Sequence, residues 1–515
     1  MTVADGRPKL NTHGGCYLHI PENPVNSKDA PPSPAGLIIR PGVKLMYPAA
    51  FSVFVGALAI GTVVGYPSMA ISSMADSNSI VAEAMRDSDN VAWFNSLMAL
   101  AALPGAFMAA PLASSIGRRI TLLTACIPFS IGWLVIAFAR STLELFTGRV
   151  LTGFCTGMIC VAGPVYIVEI SSKEKRGLLG GLFGGIISGG ILFCGIIGGF
   201  LFEWRGLALC SACLPACMGL LLLFMPRSPK LLVSKGRVDK AIEAMSALHG
   251  SNSDAHLEIL IMKGTQEDLH SALSVRDLFR KSTLKAAGIA MSLMLFQQFS
   301  GINAIMMYAV PIMRDAAPSL NPVYCTIMLQ GTQVALNAIA SKITNNLGRR
   351  IPLMFSALLM SLSLAGFAFS QYKETSLSWL PVLCCVVAVI GFSIGFGPLP
   401  WLVVAEIAPT KVSGLISSLA TSTNWASFFL LIKTYDDLVQ ALSSHFVFFM
   451  YSAWCLTAFL FVAFCIPETA NKSHHEIEAI LEGRSVGDHD DDDSEKSARQ
   501  SPQILVKDMD EEPQF

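Results

Sequence analysis

The apolar positions of this chain fall in runs of about 20 residues, the length of helix that crosses a bilayer, separated by short polar connections. The runs are roughly 48–71, 92–113, 120–139, 145–170, 178–202, 206–225, 284–313, 323–344, 351–371, 379–406, 412–433 and 445–466. This pattern predicts an all-α membrane protein with twelve transmembrane helices. Its domains would be a polar, Pro-rich segment 1–45, a six-helix half 46–226, a polar linker 227–283, a second six-helix half 284–466, and a polar tail 467–515. The first segment and most of the tail read as disordered. The first run begins too far into the chain for an ordinary cleaved signal peptide. Within the linker, "GRVDKAIEAMSALHG" has apolar residues at helical spacing and a closing glycine, which predicts a short amphipathic helix.

Charge sets an orientation. Basic residues gather after every second run: Arg118 and Arg119; Lys173, Lys175 and Arg176; the linker; Arg349 and Arg350; Lys411. The loop after the first run holds Asp76, Glu83, Asp87 and Asp89 against Arg86 alone. Lysine and arginine favour the cytoplasmic side, so both termini are expected there, in a multi-pass protein of the plasma membrane. Composition agrees with this class: 52% of residues are hydrophobic and 14% charged, against about 25% charged in soluble domains. A net charge of −1 does not suggest nucleic-acid binding. The thirteen cysteines lie almost all inside apolar runs and imply no disulfide framework. Cys210, Cys213 and Cys217 sit at helical spacing, where small apolar filler is the simpler reading. The acidic stretch "GDHDDDDSEK" lacks the alternation and glycine turn of a calcium loop. No HxxxH, GxSxG or phosphate-binding loop occurs, so neither enzyme, metal, cofactor nor ATP-driven pump is expected.

The two halves repeat one another. "SSIGRR" (Ser114–Arg119) is echoed by "NNLGRR" (Asn345–Arg350). "PVYIVEISSKEKRG" (Pro164–Gly177) is echoed by "PWLVVAEIAPTKVSG" (Pro400–Gly414), and "PRSPK" (Pro226–Lys230) by "PETANK" (Pro467–Lys472). Paired six-helix halves with a site between them at mid-membrane are a transporter architecture. Inside the seventh run, "QQFSGINAIMMYAV" (Gln297–Val310) carries amides that cost several kcal/mol each if buried unpaired.

These motifs, with "GFGPLPW" (Gly395–Trp401), "STNW" (Ser422–Trp425), "GRVLTG" (Gly148–Gly153) and the terminal "PET", resemble the sugar porter family of the major facilitator superfamily over about 45 to 480. The stretch before Arg119, with "IKTYDDL" (Ile432–Leu438), looks most like its arthropod facilitated trehalose transporter branch. The resemblance implies a sugar site built from Gln297, Gln298, Asn303, Gln333, Trp401 and Asn424, with Tyr308 a weaker candidate. Amides donate and accept together, as sugar hydroxyls require, and an aromatic face suits C–H surface. The Ser300-Gly301 step can break its helix where it lines a cavity. The competing reading of the amides is glue between helices. The resemblance also implies a cytoplasmic network of Arg118, Arg119, Arg149, Glu169, Arg176, Arg349, Arg350 and Glu406 that latches the halves in the outward-facing state. The competing reading of each arginine is a membrane anchor.

Several positions depart from the family pattern. Ser114, Asn345 and Ser413 replace charged residues, Arg227 replaces an acid, and Gly184 stands where a pocket glutamine is expected. The latch loses carboxylates and the pocket widens. The first run contains no ionisable group except tyrosines, so proton coupling is not expected. The chain therefore reads as a facilitative uniporter of trehalose or a hexose working by alternating access, with a small sugar and the lipid bilayer as its partners. The alternatives are a non-transporting sugar sensor of the same fold and a carrier of a non-sugar molecule.

Overall fold

The computed structural model describes residues 45–482 except 77–79, 173, 251–258, 260–278, 373–376, 378, 410–411, 471 and 473. The expected disordered segment before residue 45, the tail beyond 482, residues 251–258 and 260–278 of the linker, Lys173, Lys411 and the side chain of Asn345 lie outside the described residues.

Every regular element among the described residues is helical. The first half comprises α1 (Met46–Ala75), the short α2 (Ile80–Ala84), α3 (Ser88–Ser115), α4 (Arg118–Ala137), α5 (Thr142–Ile170), α6 (Arg176–Phe200) and α7 (Trp204–Leu223). Helices α8 (Pro229–Ser234) and α9 (Val238–His249) belong to the linker, and α9 closes on Gly250 at φ +80°. The second half comprises α10 (Lys281–Phe299), α11 (Ile302–Met307), α12 (Ala309–Ala316), α13 (Pro322–Leu347), α14 (Arg350–Tyr372), α15 (Trp379–Ile394), α16 (Leu399–Ile407), α17 (Ser413–Leu442) and α18 (Ser444–Cys465), with α19 (His474–Glu482) after it. Eleven helical segments among the described residues are long and apolar enough to span a bilayer. In the eighth position stands α13, 26 residues long, whose apolar run is interrupted by Gln330, Gln333 and Asn337.

Within each half, small residues let backbones approach. A side chain on Gly61 of α1 would come within 2.0 Å of the Ile187 carbonyl oxygen, and one on Gly190 of α6 within 2.2 Å of that of Leu58. Lipid tails compete for apolar surface as well as helices do, so such close van der Waals packing carries helix association in a membrane. Two of the expected spans are broken. Gly301, at φ +81°, separates α10 from α11, and a side chain there would also strike the Tyr451 ring at 2.4 Å. The Gly395–Pro398 segment separates α15 from α16.

The Gly117–Arg119 and Gly348–Arg350 turns mark one face of the molecule, called here the arginine face. Toward the opposite face the halves close on one another. Lys433 of α17 pairs with Asp89 of α3 and lies over the Trp93 ring. Gln440 Nε2 donates to Ser88 Oγ at 3.0 Å, and Trp93 packs on Phe429 with ring centres 6.2 Å apart. Toward the arginine face, side chains added at Gly177, Gly180, Gly181, Gly184 or Gly414 would meet nothing within 4 Å among the described residues.

Candidate functional site

The break after α10 sets the centre of the second half. Freed backbone carbonyls inside a membrane need donors, and Gln297 supplies them for the other break: its Nε2 donates to Phe396 O at 2.8 Å and to Gly397 O at 2.9 Å. Its Oε1 accepts from Asn424 Nδ2 at 2.7 Å. Gln297 is buried with its amide committed, so it fastens α10, the α15–α16 break and α17 together. One residue on, Gln298 Oε1 accepts from Asn303 Nδ2 at 2.5 Å across the Gly301 break. Asn303 is half-buried. Trp401 on α16 is 43% exposed. Gln333 on α13 is 7% exposed, and its Oε1 has no hydrogen-bond partner among the described residues. Tyr308 donates to Asp436 Oδ2 at 3.0 Å, nearer the closed face.

The structure therefore divides the sequence candidates. The four amides form a group of two separate hydrogen-bonded pairs: Gln297 with Asn424 braces, and Gln298 with Asn303 crosses the break. Gln333 and Trp401 stand on other helices, α13 and α16, and make no hydrogen bond to these pairs among the described residues. The group can donate to and accept from a polyhydroxylated ligand.

At the arginine face the two halves form matching clusters. Arg118 Nη2 lies 2.9 Å from Glu169 Oε1, and Arg349 Nη2 lies 3.0 Å from Glu406 Oε1. Ser228 Oγ donates to Glu169 Oε2 at 2.6 Å; Thr469 Oγ1 donates to Glu406 Oε2 at 2.5 Å. Glu468 completes only the second cluster. Its carboxylate accepts backbone N–H groups from Arg349 at 2.9 Å, Arg350 at 3.1 Å, and Thr469 and Ala470, each at 3.0 Å. Partial burial alone would raise its pKa, but these four bonds prevail and hold the carboxyl below its ordinary range. Arg227 occupies the equivalent place in the first half. The hydroxyls of Ser228 and Thr469 and the cap by Glu468 were not among the sequence candidates; the repeated Pro-x-Ser/Thr after each sixth run is their signal.

Other members of the expected network do not join these ion pairs. Arg119 donates to the carbonyls of Leu222 and Leu223 at 2.8 and 2.6 Å, Arg176 to that of Val168 at 3.1 Å, and Arg350 to that of Ala463. Each thereby closes a helix end that has surplus carbonyls. Arg149 lies away from this face altogether. It is 0% exposed and donates to Val63 O and Phe94 O, each at 2.9 Å, and to Asn95 O at 3.5 Å. Its guanidinium also lies 4.9 Å from the Phe94 ring centre. Carbonyls of α1 and α3 thus take the place of a carboxylate, and Arg149 ties α5 to both.

The sugar (and other) transporter family matches residues 48–481. The chain belongs to this family. It is a membrane transporter of the major facilitator fold, and not an enzyme. The facilitated trehalose transporter Tret1 of Apis mellifera ligustica is 37% identical over 443 residues, covering 84% of this transporter and 88% of the relative. That of Bombyx mori is 36% identical over 441 residues, 84% and 86% of the two chains. In fold, the transporter is similar to the xylose transporter XylE from E. coli in its inward open conformation. The TM-score is 0.72 at 19% identity, over 84% of this transporter and 99% of that chain.

Proposed function

We propose that this transporter is a passive, bidirectional uniporter of trehalose in the plasma membrane, with the arginine face cytoplasmic and the structure inward-facing. The observation that carries the reading is the Gln298–Asn303 pair across the Gly301 break. Such a pair can exchange its mutual hydrogen bond for two sugar hydroxyls with little net cost, because each amide both donates and accepts. Trp401 would cover a C–H face of the ring, Gln333 would offer its free oxygen, and Gln297 would hold Asn424 in place. The basic residues of the arginine face support the orientation. The arginine clusters would latch the halves when the opposite face opens, and the first-half cluster, with Arg227 in place of an acid, would contribute less.

Passive transport follows from what α1 lacks. A proton-coupled carrier needs an intramembrane group that loads and releases protons. Helix α1 has no carboxylate or histidine, and Arg149 is bound by backbone carbonyls instead. Labelled trehalose supplied to a transport-null cell tests both parts. The expected result is saturable uptake that stops when inside and outside concentrations are equal, unchanged by a protonophore. Binding without uptake would identify a sensor, and protonophore-sensitive accumulation would overturn uniport.

A further inference from the structure

Resting on the carrier reading above, we propose that Asp436 is a positioning residue for transport. Through Tyr308 it seats the hinge between α11 and α12, and so sets how readily the carrier opens at the face opposite the arginines. Tyr308 then belongs to the hinge and not to the sugar site.

The seventh span is broken twice. Gly301 separates α10 from α11, and Tyr308, at φ −106° and ψ 23°, both ends α11 and begins α12. These angles lie outside the helical range, so the eight residues of α12 can change direction about Tyr308 without unwinding a helix. Helix α12 is buried through Ala309, Val310, Ile312 and Met313. Along one edge, Val310 and Arg314 border a cavity of about 400 Å³ whose far wall includes Ser72, Asp76 and Glu203 of the first half. Helix α12 therefore meets the first half across unfilled space, with room to move.

What holds the hinge is α17. The Tyr308 hydroxyl donates to Asp436 Oδ2 at 3.0 Å, and its ring centre lies 4.6 Å from that of Tyr435. The Ile432 carbonyl, at 3.5 Å, is a weaker second acceptor. Asp436 stands on a helix that spans the membrane, where carboxylates are costly, rare and tied to function. It is in no ion pair among the described residues: Lys433, one turn earlier, pairs with Asp89 of α3 instead. A hydroxyl bonds a charged oxygen more strongly than a carbonyl, so the carboxylate fixes the Tyr308 ring. One turn of α17 thus carries two attachments, Lys433 to the first half and Asp436 to the hinge. Opening the opposite face breaks the first. A swing of α12 about Tyr308 turns the ring and breaks the second. Both attachments stabilise the same closed state.

The variants are Asp436→Leu, Asp436→Asn, Tyr308→Phe, and Tyr308→Phe with Asp436→Leu, each with and without Val310→Cys. A membrane-impermeant thiol reagent outside intact cells reports opening at the opposite face, because Val310 is 3% exposed yet borders the cavity there. Labelling is counted above that of the same protein without Val310→Cys. Labelling should be roughly tenfold faster in Asp436→Leu and in Tyr308→Phe, as for one hydrogen bond to a charged group lost from one of two states. Without Val310→Cys, KM for trehalose should fall outside and rise inside, with Vmax/KM still equal in the two directions, as a passive carrier requires. The double variant should exceed neither single one, since both remove the same bond. Asp436→Asn keeps an acceptor oxygen and should lie between wild type and Asp436→Leu. Unchanged labelling in Tyr308→Phe or Asp436→Leu would overturn the proposal, as would a double variant whose effect is the product of the single ones. If Asp436→Leu does not reach the surface, Tyr308→Phe, which removes only the donated hydroxyl, decides by the same labelling. A wild type that moves no sugar would remove the carrier reading, while the labelling still decides the hinge.

Discussion

At the level of single residues, two adjacent glutamines with the same chemistry have different work because their surroundings differ. Gln297 has all its visible valences filled by Phe396, Gly397 and Asn424. Among the described residues, the Gln298 side chain is held by Asn303 across the Gly301 break. Gln297→Ala would strand two buried carbonyls and one amide at about 1–3 kcal/mol each, so the expected outcome is poor folding and low surface expression. Asn303→Ala leaves the scaffold intact. It should fold and reach the membrane but lose affinity several-fold, as expected for about 0.5–1.5 kcal/mol per hydrogen bond to a neutral ligand. Surface expression and KM, measured together, separate the two. A wild-type KM in Asn303→Ala would remove it from the site, and normal expression of Gln297→Ala would show that the break is held elsewhere.

At the level of elements, the ends of helices do most of the charged chemistry. The N-terminus of α14 is capped by the Glu468 carboxylate through Arg349 and Arg350 N–H, a favourable place for an anion beside the helix dipole. Its partner helix α4 has no such cap from the position that Arg227 occupies. The consequence for pH has a definite sign. The folded-state pKa of Glu468 is depressed by its backbone hydrogen bonds, against the opposing effect of burial. Its contribution to stability is therefore present above the ordinary carboxylate range and is lost as pH falls through that range toward the depressed value. Thermal unfolding of the purified transporter in detergent, followed from neutral to acid pH, should show this loss. Glu468→Gln should be less stable at neutral pH and converge with the wild type in acid. Parallel curves at every pH would contradict the assignment.

At the level of the whole molecule, the state of the cavity is decided by which seam between the halves is closed. The opposite face is held by Lys433 with Asp89 and Trp93, and by Gln440 with Ser88. An exposed ion pair and a cation–π contact contribute about 0.5–1 kcal/mol apiece, enough to bias two states of similar energy several-fold. Lys433→Glu should shift the population toward the state open at that face. Thiol labelling at Gly184→Cys, toward the arginine face, should then slow several-fold, and adding Asp89→Lys should restore it. Unchanged labelling would mean that this seam does not set the equilibrium.

Much of this protein was legible without coordinates. Long apolar runs can satisfy their backbone in lipid only as helices, so the membrane class and the helical fold follow from the runs. The repeat of Gly-Arg-Arg turns located Arg118 with Glu169 and Arg349 with Glu406, because symmetric halves bring equivalent positions together. The Ser300-Gly301 break was readable because only glycine tolerates φ +81° there. Other features were settled by folding alone. Whether an amide is a brace or a ligand depends on which carbonyls come within 3 Å, and no local pattern separates Gln297 from Gln298. Arg149 looked like one more network arginine, yet its depth places it among carbonyls of α1 and α3. The packing along α6 is likewise invisible in a glycine-rich run: a side chain would clash at Gly190 and Gly195 but meet none of the described residues within 4 Å at Gly184. The sequence supplies small residues along a helix, but the angle between two halves decides where they touch and where they leave room.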